Sequence, residues 1–245
     1  MMKRAGLAVA ALMMLEGAGW AQTNAKPGTD EWYKWSSLRS KEATGYFHMA
    51  KGASPDKATP VVFTHEFVLS YQGKLMSLKM QTWSRNDEWF TPVRIMSEGQ
   101  GNDEFGTFEA RIDWPVGDAK GAGRLRAMIG TRKIEFEMPA RTSTAFSIFE
   151  IVKGRPFDAE KVFEFNSLEA EELNLKKDHK LTYVGPEELE VSGEKVKLHK
   201  FEQTEGGRTP VQYWVNEGHE LVRVLMDGSK EFLLTTEEKA KAGVK

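Results

Sequence analysis

The stretch Val61-Val62-Phe63-Thr64-His65-Glu66-Phe67-Val68-Leu69-Ser70-Tyr71 decides the fold class. Val61, Phe63, Phe67, Leu69 and Tyr71 share one face, with His65 as its single polar interruption. Thr64, Glu66 and Ser70 share the other face with Val62 and Val68. A period of two sustained this long is the pattern of a half-buried strand. Gln72-Gly73 supplies a turn, and Leu75 to Ser84 returns with Met76, Leu78 and Met80 aligned. The pair reads as an antiparallel hairpin.

The same period extends in both directions. Trp89 to Met96 forms a further strand, with Pro92 marking an edge or a bulge. Phe105 to Trp114 alternates, as do Leu125 to Ile129 and Ile134 to Met138. Later come shorter pieces: Val162–Asn166, Leu181–Val184, Val196–Phe201, Val211–Val215, Leu221–Met226 and Phe232–Leu234. Glycine beside Glu, Asn or Asp separates the last four, as tight turns require. Upstream, the two-residue period begins at Gly45. Before it, Trp32, Trp35 and Leu38 stand at three-residue steps after Thr29, which suggests a short capped helix.

One internal segment has helical spacing. Phe146, Ile148, Phe149 and Val152 give a bulky apolar side, Thr142 or Ser143 offers a cap, and Gly154 and Pro156 stop the run. Glu237 to Lys241 reads as a charged closing helix. About ten to twelve strands and one apolar helix predict a mainly β protein: a large curved antiparallel sheet, half-barrel-like, covered by that helix. Residues 45–245 read as a single β domain, with two packed subdomains joined near Arg155–Ala159 as the alternative.

The first residues predict export. Lys3 and Arg4 precede an apolar run from Ala5 to Leu15, and Gly19-Trp20-Ala21 offers small residues for cleavage near Ala21. This is the order of a secretory signal peptide, leaving residues 22–44 as an arm with the possible short helix. A membrane span needs about 20 apolar residues, and Glu16 ends this run; no transmembrane segment is expected in the mature chain. The chain has no cysteine, so neither a lipidated cysteine nor disulfides are available. Such an exported chain must fold on its core, which favours a bacterial periplasm or cell surface. Removing Lys3, Arg4 and Glu16 from 34 basic and 36 acidic residues leaves 32 and 35. The signs are interspersed, so no basic stripe for nucleic acid is present.

Motifs for chemistry are missing. There is no P-loop and no Gly-x-Ser-x-Gly elbow. His65-Glu66-Phe67-Val68-Leu69 has Leu69 where a zincin needs its second histidine, and it lies in a strand. The five histidines, at 48, 65, 179, 199 and 219, are scattered, so no metal, cofactor or catalytic residue is assigned. His65 reads first as a hydrogen-bonded core or sheet-edge residue, then as a ligand contact, and last as a catalyst. Trp83, Trp89, Trp114 and Trp214 read as core before they read as a stacking platform for sugars or lipid.

The C-terminal third carries a resemblance. Leu181-Thr182-Tyr183-Val184-Gly185-Pro186-Glu187-Glu188, Val196 to Phe201, Val211-Gln212-Tyr213-Trp214-Val215-Asn216-Glu217, Leu221-Val222-Arg223-Val224 and Glu231-Phe232-Leu233-Leu234 follow one another. This order resembles uncharacterised bacterial envelope families that are similar, in strand order, to the lipoprotein carriers LolA and LolB. The resemblance covers about 60 residues and implies a half-barrel that holds acyl chains under a helical lid. The chain departs from LolB in lacking a lipidated cysteine, and it is longer than LolA. The expectation is a periplasmic, non-catalytic binding module for an apolar small molecule, lipid or lipidated envelope protein. The ligand-lining candidates are Phe63, His65, Phe67, Phe146, Phe149 and Trp214. A structural protein of the envelope comes second, and a hydrolase with a site around His65 third.

Overall fold

The computed structural model describes residues 29–40, 43–54, 61–101, 107–115, 121–169, 173–191 and 193–244. The proposed signal segment lies outside them. The strands, in chain order, are β1 (Thr29–Ser37), β2 (Ala43–Ala53), β3 (Val61–Tyr71), β4 (Lys74–Ser84), β5 (Pro92–Gln100), β6 (Phe108–Asp113), β7 (Gly123–Ile129), β8 (Arg132–Met138) and β9 (Thr142–Thr144). A helix α1 (Ile148–Lys153) precedes β10 (Val162–Glu169), β11 (Asn174–Val191), β12 (Glu194–Thr204), β13 (Val211–Val215), β14 (Leu221–Met226), β15 (Lys230–Thr235) and the helix α2 (Glu237–Lys241).

All fifteen strands form one sheet in the order β8-β7-β6-β5-β4-β3-β2-β1-β15-β14-β13-β12-β11-β10-β9. Neighbours in the sheet are neighbours in sequence except where β1, the first strand, meets β15, the last. β8 and β9, consecutive in sequence, stand at the two edges of the sheet. Pairing is antiparallel throughout the described residues apart from β9 on β10. The deciding hairpin is formed as read: Val61 pairs with Ser84 and Tyr71 with Lys74. Gln72 and Gly73 both have positive φ, 50° and 73°, the backbone of a tight two-residue hairpin turn.

The sheet curls until its two arms meet, giving a nearly closed barrel. Met80, Ile95, Phe108, Ile112, Leu125 and Met138 from β4–β8 form one core with Leu168 and Leu173 from the β10–β11 arm. The arms are thus joined by side chains, which fill the gap that backbone pairing leaves. A second core gathers Tyr33, Phe47, Tyr213, Val224 and Phe232 around α1.

Three expectations are corrected. Thr29 to Ser37 is a strand, where the sequence spacing predicts a short helix. Tyr33 and Trp35 alternate inward on β1, and pairing with both β2 and β15 outweighs the three-residue spacing of a few tryptophans. Thr142 and Ser143 do not cap α1. They lie in β9, and Ser147 occupies the cap position with no side-chain cap bond. The strands number fifteen instead of ten to twelve, because β1, β2 and β9 were not counted. The closing helix falls on Glu237–Lys241, where Thr236 Oγ1 accepts from the Lys239 amide at 3.4 Å. Its Ala240 covers Tyr46 and Val68 on the outer face of the sheet.

Candidate functional site

α1 fills the concave face of the sheet. Ile148, Phe149, Ile151 and Val152 are all buried; they form the broad apolar side of the helix, and Glu150 and Lys153 share its remaining side. The Phe149 ring makes edge contacts with Tyr33, Phe47, Tyr213 and Phe232 at 5.4–6.1 Å. Its charged residues tie it to the strands. Lys153 Nζ donates to Glu31 Oε1 at 2.7 Å, and Lys51 Nζ donates to Glu150 Oε1 at 2.8 Å. Burial alone would raise the Glu150 carboxyl, but the Lys153 and Lys51 ammoniums hold it below the usual carboxylate range. These groups, with Glu88, Arg155 and His219, line an open cleft of about 600 Å³ at the end of α1. Arg155 is bonded to Glu88, and His219 Nδ1 lies 2.8 Å from the Lys153 carbonyl. Lys51, Lys153, Arg155, Glu31, Glu88 and Glu150 are thus paired with one another, which suits an anchor for the helix.

The start of α1 faces different chemistry. Phe146 forms part of the wall of a cavity of about 300 Å³ whose apolar lining also includes Val211, Tyr213 and Met226. Charged residues stand around it in pairs: Lys176 with Glu169 at 3.6 Å, Arg208 with Glu205 at 3.2 Å, and Lys230 with Asp227 at 3.3 Å. His179, Gln203 and Ser167 complete the polar part of the lining.

His179 is the most informative of these groups. Tyr213 Oη donates to Gln203 Oε1 at 2.6 Å, and the Gln203 amide donates to His179 Nδ1 at 3.0 Å. Nδ1 is therefore the acceptor, and the neutral imidazole carries its proton on Nε2. That Nε2 is buried and has no partner among the described residues. Burial pushes the imidazole below its usual range, against the pull of Glu205. Burial likewise raises the Tyr213 phenol, so it remains a donor. The cavity wall thus includes a neutral imidazole whose Nε2–H is buried and unpartnered among the described residues, alongside the apolar side chains of Val211, Tyr213 and Met226.

A bulge makes this possible. Phe165 pairs with His179, but Ser167 pairs with Lys176, so β11 carries one extra residue there. In an unbroken strand, residues three apart point to opposite faces. The extra residue, with Asp178 at φ 61°, sends both Lys176 and His179 to the cavity. Bulges commonly re-aim side chains beside functional sites.

Of the sequence-derived candidates, His65, Phe146 and Phe149 come together around Phe47, and Phe63 stacks on His65. Phe67 packs on Trp35 and Phe232. Trp214 stands apart on the outer face, under Lys200 and Arg223, with its indole N–H donating to Glu187 at 2.9 Å. Among them Phe146 alone lines the cavity. Tyr213, Gln203 and His179 were missed because the relay joins three strands, and only the register reveals it. Among the described residues, no group of three His, Asp or Glu is placed to hold a metal ion. Compared with family models, curated proteins and solved structures, the chain matches none of them.

Proposed function

We propose that this protein is an exported, non-catalytic binding module that holds one amphiphile, an acyl chain with a polar head, in the cavity beside Phe146. The unpartnered His179 Nε2 carries this reading, because a buried donor left unmade costs about 1–3 kcal/mol and a ligand head group would satisfy it. Val211, Tyr213 and Met226 supply the apolar wall, and methionine adapts to variable chains. The paired charges around the cavity suit a hydrated head better than a fully apolar molecule. The nearly closed curved sheet is compatible with the LolA/LolB half-barrel, and kinship with those carriers is part of the proposal.

Fatty-acid titration tests it. Wild type should bind decanoate saturably, near one per chain. Val211→Trp, which fills the cavity from its half-buried wall, should weaken binding about tenfold or more, the scale of a lost apolar contact, with little change in unfolding midpoint. Absence of binding by wild type would shift preference to an envelope interaction protein. That second reading has its own support in Tyr71 and Leu75, exposed by 41% and 53% beside the β3–β4 turn. Export is tested separately: N-terminal sequencing of secreted material should begin at or near Gln22, and a retained Met1 on cytoplasmic protein would remove that part. No helix of the described residues is long and apolar enough to cross a membrane.

A further inference from the structure

Beyond Phe146, the interior carries polar side chains that the cavity leaves unexplained. On the concave face of β3 and β4, His65, Thr82 and Ser84 are buried, with 2%, 0% and 0% exposure. Both imidazole nitrogens and both hydroxyl oxygens lack a hydrogen-bond partner among the described residues. The register puts them in a row on one face, with Met80 opposite His65, Thr82 opposite Phe63 and Ser84 opposite Val61, each about 7 Å further along the hairpin. β9, lying against β5, brings another such group, the Ser143 hydroxyl. One unpaired buried polar group is an ordinary exception; several on one wall call for an occupant that bonds them. Phe146 is the partition. Its ring lies 5.6 Å from that of His65, it lines the end cavity, and it packs against both apolar cores. It is itself only half-buried.

We propose that this seam receives a hydroxyl carried on the far end of the ligand's chain, reached when the Phe146 ring turns aside, so that the ligand class is a hydroxylated fatty acid. The inference rests on the cavity reading above. The head group stays near His179, the chain runs past Tyr213 and Phe146, and the hydroxyl lies between His65 and Thr82, neighbours on that face. A hydroxyl both donates and accepts, as do an imidazole and the two side-chain hydroxyls. Phe47, Phe63 and Phe146 surround His65 with rings, so an ionised end group would meet no counter-charge there and is disfavoured.

Calorimetric titration of the full chain with decanoate and 10-hydroxydecanoate, and with the corresponding octanoate and dodecanoate pairs, tests the sign of the effect. In an apolar site the added hydroxyl weakens binding about tenfold or more. The seam predicts that at least one hydroxy acid binds wild type as tightly as its parent, or tighter. His65→Leu and Thr82→Val, both of which remove unpartnered groups and should fold, restore a roughly tenfold preference for the plain acid. If wild type binds the plain acids but rejects the hydroxyl at every chain length, the seam is not a site and the cavity reading stands. A hydroxyl preference that survives in both variants also overturns the seam. Failure of every acid to bind removes both readings.

Discussion

Phe149→Ala is expected to lower the free energy of unfolding by about 3–5 kcal/mol, the cost of truncating a fully buried aromatic. The ring has no exposure, and its neighbours Tyr33, Phe47, Tyr213 and Phe232 come from β1, β2, β13 and β15. Those strands are held in the sheet by their own pairing, so they cannot collapse into the space left behind. α1 is a six-residue helix, too short to be stable without tertiary packing, so losing this buried side chain also loosens the helix. Urea unfolding followed by tryptophan fluorescence measures the change. Met128→Ala, at a side chain 53% exposed on β7, serves as the comparison and should change stability by less than about 0.5 kcal/mol. A Phe149→Ala loss no larger than that of Met128→Ala would show that α1 is a loosely held cover, with space beneath it for ligand.

The sheet was legible because its strands advertise themselves locally. β3 and β4 were legible as a hairpin, since Gln72-Gly73 marks a short turn between two runs of period two. α2 was legible because Thr236, two acidic residues and Lys241 fit both the cap and the dipole of a short helix. β1 was misread because its tryptophans happen to fall at helical spacing, and its partner β15 lies at the opposite end of the sequence. Closure was only partly legible: Leu168 and Leu173 meet Phe108 and Met138 across a gap that no local pattern records. The cavity was the least legible part. His179 was visible only as one of five scattered histidines. Its inward aim depends on a bulge, and its tautomer depends on Gln203 and Tyr213, residues 24 and 10 positions apart along the relay. The sequence reading of His65 favours a hydrogen-bonded core residue, whereas it is buried with no protein partner among the described residues.

Acidification should therefore destabilise the wild type more than a His65→Leu variant. Complete burial, with a smaller contribution from His48, lowers the His65 pKa from 6.5 to about 3. Between those values the unfolded chain binds a proton that the folded chain refuses, so stability rises with pH across this window. The contribution is fully present above pH 6.5 and is lost progressively as the pH falls toward 3. Each unit corresponds to about 1.4 kcal/mol, so moving from pH 7 to pH 4 should remove about 3 kcal/mol through this residue. Carboxylates such as Glu150, Glu109 and Glu202, whose pKa values are lowered in the fold, lose stabilisation in acid as well. They are present in both proteins, and their effect cancels in the comparison. Leucine cannot be protonated and leaves no orphaned nitrogen, so the variant should match or exceed wild type at pH 7. Its advantage should then grow by about 3 kcal/mol at pH 4, read from urea unfolding at the two pH values. Parallel losses in the two proteins would mean that protonated His65 is tolerated inside the sheet. Water or a counter-charge would then have to reach the seam in the folded state, and the imidazole would no longer mark a dry, neutral site.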